Sequence, residues 1–145
     1  MGTQRLIIER IVGLLNTLNG QYKLSWLCLC DFNEILKREE KLGGPPRPHQ
    51  QIEAFRNIVH KCGFKDMGYN GLDYTCCNEQ EGENRVYLRL DKAFATMDQL
   101  DDFQNIKVQH LVDTKSDHYP ILLVDAKVLK DRRKCIFHFE AIWTR

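Results

Sequence analysis

The sequence predicts an α/β fold, in which helices pack on sheets of short strands. Two amphipathic helical patterns and a series of short apolar runs between turn residues carry this prediction. The chain has 145 residues, of which 43% are hydrophobic and 28% charged, and this is the composition of a globular protein with one core. We therefore expect one domain of mixed helices and strands.

The first helix is predicted over residues 3–18, because apolar side chains recur there at intervals of three and four. Thr3 is a candidate N-cap, and Asn19-Gly20 follows the pattern as a terminator. The predicted buried stripe consists of Leu6, Ile7, Ile11, Leu14, Leu15 and Leu18. Residues 24–30 are nearly all apolar, which is typical of a short strand buried on both faces.

A loop and a second helix are predicted next. Gly43-Gly44-Pro45-Pro46 is the strongest breaker cluster in the chain, so residues 39–49 are expected to form an exposed loop. The following helix ends at Gly63. Its predicted buried stripe consists of Ile52, Phe55, Ile58, Val59 and Cys62.

After the second helix, the pattern indicates short strands separated by Gly, Asn or Asp turns. These strands are predicted over residues 64–67, 74–77, 85–90, 106–111 and 119–124. In the third of them, Val86 and Leu88 point to one side, while Tyr87 and Arg89 point to the other, toward polar surroundings. A short helix or helical turn is predicted over residues 92–103.

The charge balance excludes a protein that binds nucleic acid through a global positive field. The 21 basic and 20 acidic side chains nearly cancel, so any site for a polyanion must be local. No apolar run approaches the ~20 residues that span a bilayer, and residues 1–10 lack the apolar centre of a secretion signal. We expect an intracellular protein, in the nucleus or the cytoplasm, without a membrane partner.

The six cysteines do not have the spacing of a zinc site. Cys28 and Cys30 are two residues apart, while Cys76 and Cys77 are adjacent and would face opposite sides of a strand. An intracellular chain of this size normally keeps its thiols reduced.

Polar side chains stand at the ends of the predicted core strands. Asp31 and Asn33 follow the first strand and project to the same side, because residues two apart share a direction in extended chain. Asp91 follows the strand that contains Leu90, and Ser116-Asp117-His118 precedes the last strand. A packed sheet can hold such groups rigidly.

Such a set suits the hydrolysis of a phosphodiester. Carboxylates bind a hard divalent cation and orient water, an amide steadies phosphoryl oxygens, and a histidine supplies a proton or a positive charge. For each residue taken alone, a purely structural role is favoured over a catalytic one. Asp31 and Asn33 would then form a turn, and Asp91 and Ser116-Asp117 would cap the elements that follow them.

The same segments resemble the endonuclease/exonuclease/phosphatase family, in the version carried by LINE-type retrotransposons. Cys30-Asp31-Phe32-Asn33 resembles the Gly-Asp-Phe-Asn segment of that family. The tail over residues 137–143 resembles the linker that leads toward the reverse transcriptase. The similarity continues in the family's order through Glu40-Lys41-Leu42-Gly43-Gly44, Glu53-Ala54-Phe55-Arg56, Tyr74-Thr75, Arg89-Leu90-Asp91-Lys92-Ala93 and Ser116-Asp117-His118-Tyr119-Pro120.

The resemblance implies a catalytic role for several of these residues. Asp31 would position or deprotonate the attacking water, and Asn33 would contact the scissile phosphate. Asp91 would orient His118, and His118 would stabilise the phosphoryl charge. The substrate implied by the resemblance is DNA.

The resemblance also implies a metal ion, usually magnesium, with Asp117 and Asp31 at or near it. Magnesium suits an oxygen-rich site that retains waters. Ser116 and Thr75 would supply hydrogen bonds to the phosphate or to the catalytic groups.

The fold implied by the resemblance is half of a four-layer α/β/β/α sandwich of the DNase-I-like kind, over residues 1–126, followed by a linker or tail over residues 127–145. The family's N-terminal half, with an early Asn and the Glu that is a principal metal ligand, has no counterpart before the first helix. We therefore expect an exposed apolar sheet face and impaired or no activity, unless another chain or segment supplies the missing half.

The sequence departs from the family pattern at two cysteines. Cys30 stands where the family has glycine, and a side chain there would crowd the phosphate. Cys76 stands where the family has an aromatic residue.

Two other interpretations remain open: a non-catalytic remnant that binds nucleic acid or a partner, and a degenerate reading frame without function. The densest basic stretch is expected to be a solvated linker, with contact to nucleic-acid phosphates or a role as an import signal as the alternatives. It consists of Lys127, Lys130, Arg132, Arg133 and Lys134. The remaining histidines lack the spacing of metal ligands and are expected in ordinary surface or core positions, namely His49, His60, His110 and His138.

Overall fold

The computed structural model describes residues 2–21, with side chains from residue 9, and residues 25–102, 104–112 and 116–127. The helices in these ranges are α1 (Gly2–Gln21), α2 (His49–Lys61) and α3 (Met97–Asp102). The strands are β1 (Leu27–Asp31), β2 (Lys41–Leu42), β3 (Phe64–Asp66), β4 (Asn70–Gly71), β5 (Cys76–Cys77), β6 (Tyr87–Leu88), β7 (Asp91–Thr96), β8 (Ile106–His110) and β9 (Ile121–Asp125). The predicted α/β class is confirmed. No helix in the described ranges is long and apolar enough to cross a membrane.

Helix α1 confirms the first helical pattern but buries a narrower stripe than predicted. Leu15 is buried, and Ile11 and Val12 pack against the same core. Leu14, which was predicted to be buried, is 59% exposed. Helix α1 packs on α2, and a surface helix buries only the face that it turns to its neighbour. The side chains of Leu6 and Ile7 lie outside the described residues.

Sheet 1 consists of β1, β7 and β3, with β7 in the centre and both pairings antiparallel. In its register, Cys28 is opposite Phe94, and Asp31 is opposite Asp91. Helix α2 covers one side of this sheet. The core between them contains four aromatic rings and their aliphatic neighbours: Leu15, Phe32, Phe55, Ile58, Val59, Cys62, Phe64 and Phe94.

The other side of sheet 1 is only partly covered, so β1 is not buried on both faces as predicted. Leu29 on this side is 39% exposed, whereas the small side chains of Ala93 and Ala95 are fully buried. Leu29 is opposite Ala93 in the register. The apolar character of β1 on this side is therefore not explained by packing within the described residues.

Strand β7 corrects the prediction of a helix over residues 92–103. Only residues 97–102 are helical, and residues 91–96 form the central strand of sheet 1. The segment has few β-branched residues, so its local sequence favours helix over strand. Pairing on both edges and burial of Phe94 outweigh that preference.

Two smaller sheets hold the remaining strands. Sheet 2 has the order β2-β6-β5, and sheet 3 has the order β4-β8-β9, in which β4 and β8 are parallel. A second apolar cluster of Ile35, Ile52 and Leu90 lies between sheet 2 and α2, with Cys76 and Leu88 against it. Cys76, the first residue of β5, therefore lies near Leu90, the residue before Asp91.

Two glycines provide a matched test of the loop after β2. Gly43 has φ +79°, and a Cβ there would lie 2.2 Å from the carbonyl oxygen of Arg85. Gly68 has a similar φ of +67° but open space around it. We expect Gly43→Ala to lower the free energy of unfolding by about 3 kcal/mol, because it adds a backbone clash to the cost of the left-handed conformation. Gly68→Ala, which adds only the conformational cost, is expected to lose about 1 kcal/mol.

Urea unfolding of both variants measures this difference. Equal losses in the two variants would contradict the close approach of Gly43 to Arg85.

Candidate active site

Asp31 and Asn33 form a compact turn at the end of β1. The carboxylate of Asp31 accepts hydrogen bonds from the backbone N–H of Asn33 at 2.7 Å and from its Nδ2 at 2.8 Å. Asn33 has φ +55°, a left-handed conformation that asparagine tolerates better than most residues. The carboxylate and the amide therefore share one direction, as the sequence predicted, and are bonded to each other.

Asp91 lies directly across sheet 1 from Asp31. The two are Cα partners in the pairing of β1 with β7, and the backbone N–H of Phe32 donates to Leu90 at 3.1 Å just beyond them. Directly opposed residues in antiparallel strands have their Cβ atoms roughly 5 Å apart on the same face. The two carboxylates are thus neighbours although sixty positions separate them in the sequence.

His118 completes this group through Asp91. The Nδ1 atom of His118 lies 3.0 Å from Oδ2 of Asp91, and both side chains keep some exposure, 34% and 15% respectively. A carboxylate at Nδ1 fixes the plane of the ring and directs Nε2 away from Asp91. The structure therefore brings together Asp31, Asn33, Asp91 and His118.

The backbone around His118 is held by β5. His118 forms an isolated bridge with Cys76, and Cys77 donates its N–H to the carbonyl oxygen of Asp117 at 2.9 Å. Tyr119 donates to the carbonyl oxygen of Thr75 at 2.7 Å. These bonds fix the position of the His118 backbone beside β5.

Thr75 lies behind the carboxylates rather than beside a substrate. It is fully buried, and its hydroxyl oxygen accepts from the backbone N–H groups of Leu90 and Asp91, both at 3.0 Å. The resemblance allowed two roles for Thr75, contact with a phosphate or support of catalytic groups. The burial of Thr75 favours the second. Without exposed surface Thr75 cannot touch a substrate here, and it positions Asp91 instead.

Ser116 and Asp117 directly precede His118 in the chain. Both are exposed, and Ser116 accepts a hydrogen bond from the backbone N–H of His118 at 3.2 Å. Burial and then the charges of Asp117, Asp91 and Asp31 raise the pKa of Cys76 to about 11. The negative charges of the three carboxylates disfavour the thiolate form of Cys76.

The two cysteines that depart from the family pattern do not obstruct this group. Cys30 lies on the opposite face of β1 from Asp31, beside Cys28, because successive residues of a strand alternate. The expected crowding of a phosphate by Cys30 is therefore wrong. A hydrogen bond between the Cys28 and Cys30 side chains, then burial, then the charges of Cys28, Asp31 and Asp91 all raise the pKa of the Cys30 thiol. Cys76 is half-buried against the second apolar cluster.

The donor set of this group does not by itself form a magnesium site. Among the described residues, no three His, Cys, Asp or Glu side chains are close enough together to hold a metal ion. Both carboxylate oxygens of Asp31 already accept hydrogen bonds from Asn33, and one oxygen of Asp91 is bonded to His118. The pair of metal ligands inferred for Asp31 and Asp117 would need further oxygen ligands.

Sequence reasoning missed a network of buried charges behind the group. Arg89 binds Asp66 through two hydrogen bonds of 2.6 and 2.8 Å, and it binds Glu40 through a third of 2.8 Å. Lys92 is fully buried and donates to the carbonyl oxygen of Glu34 at 2.9 Å and to that of Arg89. The network ties residues 34–40 to the start of β7. The polar direction of Arg89 was predicted, but its buried partners come from distant segments and leave no local signal.

Burial shifts the ionisation of Lys92. Its pKa is lowered to about 8, since burial opposes the charged form more strongly than the nearby carboxylate of Glu40 favours it. The charges that face Lys92 are Glu40, Arg89 and Asp66.

A basic cleft beside the group was also missed. Arg38, Lys41 and Arg47 line it, together with the glycines after β2, and its volume is about 220 Å³. Arg47 lies 3.4 Å from the carbonyl oxygen of Asn33 and 3.6 Å from the carboxylate of Glu34. These cations are scattered among acidic neighbours in the sequence, so only the folded loop reveals the cluster.

The remaining histidines have ordinary environments. His110 is buried, stacks on Tyr69 at 4.3 Å and bonds through Nδ1 to the carbonyl oxygen of Leu72 at 2.5 Å; burial lowers its pKa. His49 and His60 are exposed on α2. His138, the tail over residues 137–143 and the basic stretch beyond Lys127 lie outside the described residues.

In comparisons with known proteins, no family model and no curated protein matches this chain.

Proposed function

We propose that the chain carries the aspartate and histidine part of a phosphodiesterase active site of the endonuclease/exonuclease/phosphatase type, and that its substrate is DNA. The observation that carries the proposal is the bond of 3.0 Å between His118 and Asp91, on a strand where Asp91 directly opposes Asp31. Three separate segments of the chain converge there. Local turns or helix caps do not require such convergence.

In this proposal, the four side chains that meet at the end of β1 have separate roles. Asp91 holds Nδ1 of His118, so that Nε2 faces the phosphoryl oxygens and donates a proton or positive charge to them. The carboxylate of Asp31 orients the attacking water and accepts its proton. Asn33 holds that carboxylate in position through its Nδ2 group.

Magnesium belongs to the proposal only with additional ligands. Asp117 is exposed, but it and Asp31 are too few to bind the ion tightly. At least one more carboxylate has to come from residues outside the described ranges or from another chain or segment.

The same proposal extends to the architecture. Helices α1 and α2 lie on one side of sheet 1, and Leu29 is exposed on the other. This arrangement fits half of a four-layer α/β/β/α sandwich, in which a second sheet covers Leu29 and brings the missing ligands. The kind of enzyme would be the endonuclease of a LINE-type retrotransposon.

A plasmid-nicking assay with magnesium tests the catalytic part. We expect slow conversion of supercoiled to nicked DNA by the chain, and a loss of about 100-fold in His118→Ala, because general acid-base groups contribute that much or more. His60→Ala is the matched control, since His60 is exposed on α2 and outside the group. It is expected to cleave like the unaltered chain.

Equal cleavage by His118→Ala and the unaltered chain would overturn the role of His118. No cleavage by the unaltered chain would overturn the catalytic proposal for this chain alone.

A second candidate function is binding of nucleic acid without cleavage. The basic cleft beside the group and the lack of a three-ligand metal cluster among the described residues favour it. Salt-dependent binding to duplex DNA by a chain that does not cleave would support this candidate.

A further inference from the structure

The cleft next to the candidate active site concentrates positive charge. Arg38, Lys41 and Arg47 all line it. Burial and then the charge of Arg47 lower the pKa of Lys41, so these two cations are close enough to repel each other. Holding like charges together costs free energy, which an anion between them would recover.

Arg38 and Lys41 have no carboxylate partner among the residues that the structure describes. Within the described ranges, the side chain of Arg38 makes no hydrogen bond or ion pair, and Nζ of Lys41 donates only to the carbonyl oxygen of Gly43. Arg47 is different, because its side chain is 8% exposed and lies beside the buried Glu34. Arg38 and Lys41 are therefore the cations available to a ligand.

The backbone leaves room for an anion to approach them. Gly44 has φ +61°, and a Cβ on it would lie 2.8 Å from Cγ2 of Val86 and 3.4 Å from Nζ of Lys41. Glycine at this position keeps the approach to the ammonium group open. The cleft, at about 220 Å³, has ample space for a phosphate group.

The cleft is joined to the candidate active site through Arg47. Its guanidinium lies 3.4 Å from the carbonyl oxygen of Asn33, the residue bonded to the Asp31 carboxylate. An anion held by Arg38 and Lys41 would thus lie on the flank of the turn that carries Asp31.

We propose that the cleft of Arg38, Lys41 and Arg47 binds a non-scissile backbone phosphate of duplex DNA and so sets the position of the strand beside Asp31. This inference rests on the proposed function for its choice of DNA. It gives a binding role to Lys41, which lies in one of the segments of the resemblance, and to Arg38 and Arg47, which lie outside those segments.

Salt-dependent binding to a fluorescent DNA duplex tests the cleft apart from catalysis. Each phosphate contact contributes about 0.9 to the slope of log K against log salt. We expect Arg38→Gln/Lys41→Gln to weaken binding at ~50 mM NaCl and to reduce the magnitude of the slope by about one to two. Arg38→Gln alone removes no internal bond of the described residues, and it is expected to show the same change in smaller measure.

The matched control is Lys65→Gln/Lys107→Gln, which removes the same charge from two exposed lysines. Lys65 is opposite Ala95, at the far end of β7 from Asp91, and Lys107 is on β8. The control is expected to keep the slope of the unaltered chain. A slope that is unchanged in the cleft variants, or reduced equally in the control, would overturn the proposal.

The same titration separates the two proposals. If the cleft variants lose their salt slope while no variant nicks plasmid, the cleft stands and catalysis by this chain fails. If the unaltered chain nicks plasmid and the cleft variants bind like it, catalysis stands and the cleft proposal fails. If the unaltered chain binds inorganic phosphate through Arg38 and Lys41 and the duplex does not displace it, the cleft is a free-phosphate site and the assignment to DNA fails.

Discussion

Phe94→Ala is expected to lower the free energy of unfolding by about 4 kcal/mol. The ring of Phe94 is fully buried at the centre of sheet 1. Its centroid lies 4.8 Å from that of Phe32, 6.1 Å from Phe55 and 5.9 Å from Phe64. Removing it leaves a cavity that three rigid rings cannot fill by small movements.

Urea unfolding at neutral pH measures this loss. Val112→Ala is the control, because Val112 is 72% exposed and its truncation should change stability by less than about 0.5 kcal/mol. A change in Phe94→Ala as small as that in Val112→Ala would show that the aromatic cluster is not the core of the protein.

Arg89→Met is expected to lower the free energy of unfolding by about 3–5 kcal/mol at neutral pH, because it breaks a buried ion-pair network. Among the described residues, the carboxylate of Asp66 loses its ion-pair partner, and that of Glu40 keeps only Lys92, at 3.4 Å. Arg89 and Glu40 have side chains that are 5% and 10% exposed, and Asp66 is 25% exposed. Arg85→Met is the matched control. Arg85 is exposed, so its loss should cost less than about 1 kcal/mol.

The loss in Arg89→Met is also expected to depend on pH. Burial raises the pKa of Asp66, but the hydrogen bonds and charge of Arg89, helped by Gly68, outweigh burial and lower it. A depressed carboxyl pKa stabilises the fold above the ordinary value of about 4, and this stabilisation is lost as the pH falls through the lower folded value. The difference between the unaltered chain and the variant should therefore be largest at neutral pH and shrink below about pH 4. A difference that stays constant over this range would contradict the pairing of Arg89 with Asp66.

Local patterns predicted much of the fold because they describe one segment at a time. The stripe of Ile52, Phe55, Ile58 and Val59 marks α2, and each of these residues is buried. Strand β7 was missed because its strand character comes from pairing with β1 and β3, which a local pattern does not contain. The exposure of Leu14 has the same origin, since the width of a buried stripe depends on the neighbouring helix.

The candidate site shows the same division. Asp31 and Asn33 were predicted to share a direction because two-residue spacing decides this within one strand. That Asp31 opposes Asp91 depends on the register of two strands. The buried partners of Lys92 and the cations of the basic cleft come from loops whose path only the folded chain defines.

The register of sheet 1 limits how the sequence can change. Side chains alternate along a strand, so a single inserted or deleted residue within β1 would place Cys30 or Phe32 opposite Asp91 in place of Asp31. The same shift would turn Cys28 away from Phe94 and the core. Substitutions within β1 can therefore accumulate one by one, whereas changes in its length remove the paired carboxylates and the hydrophobic contact in a single step.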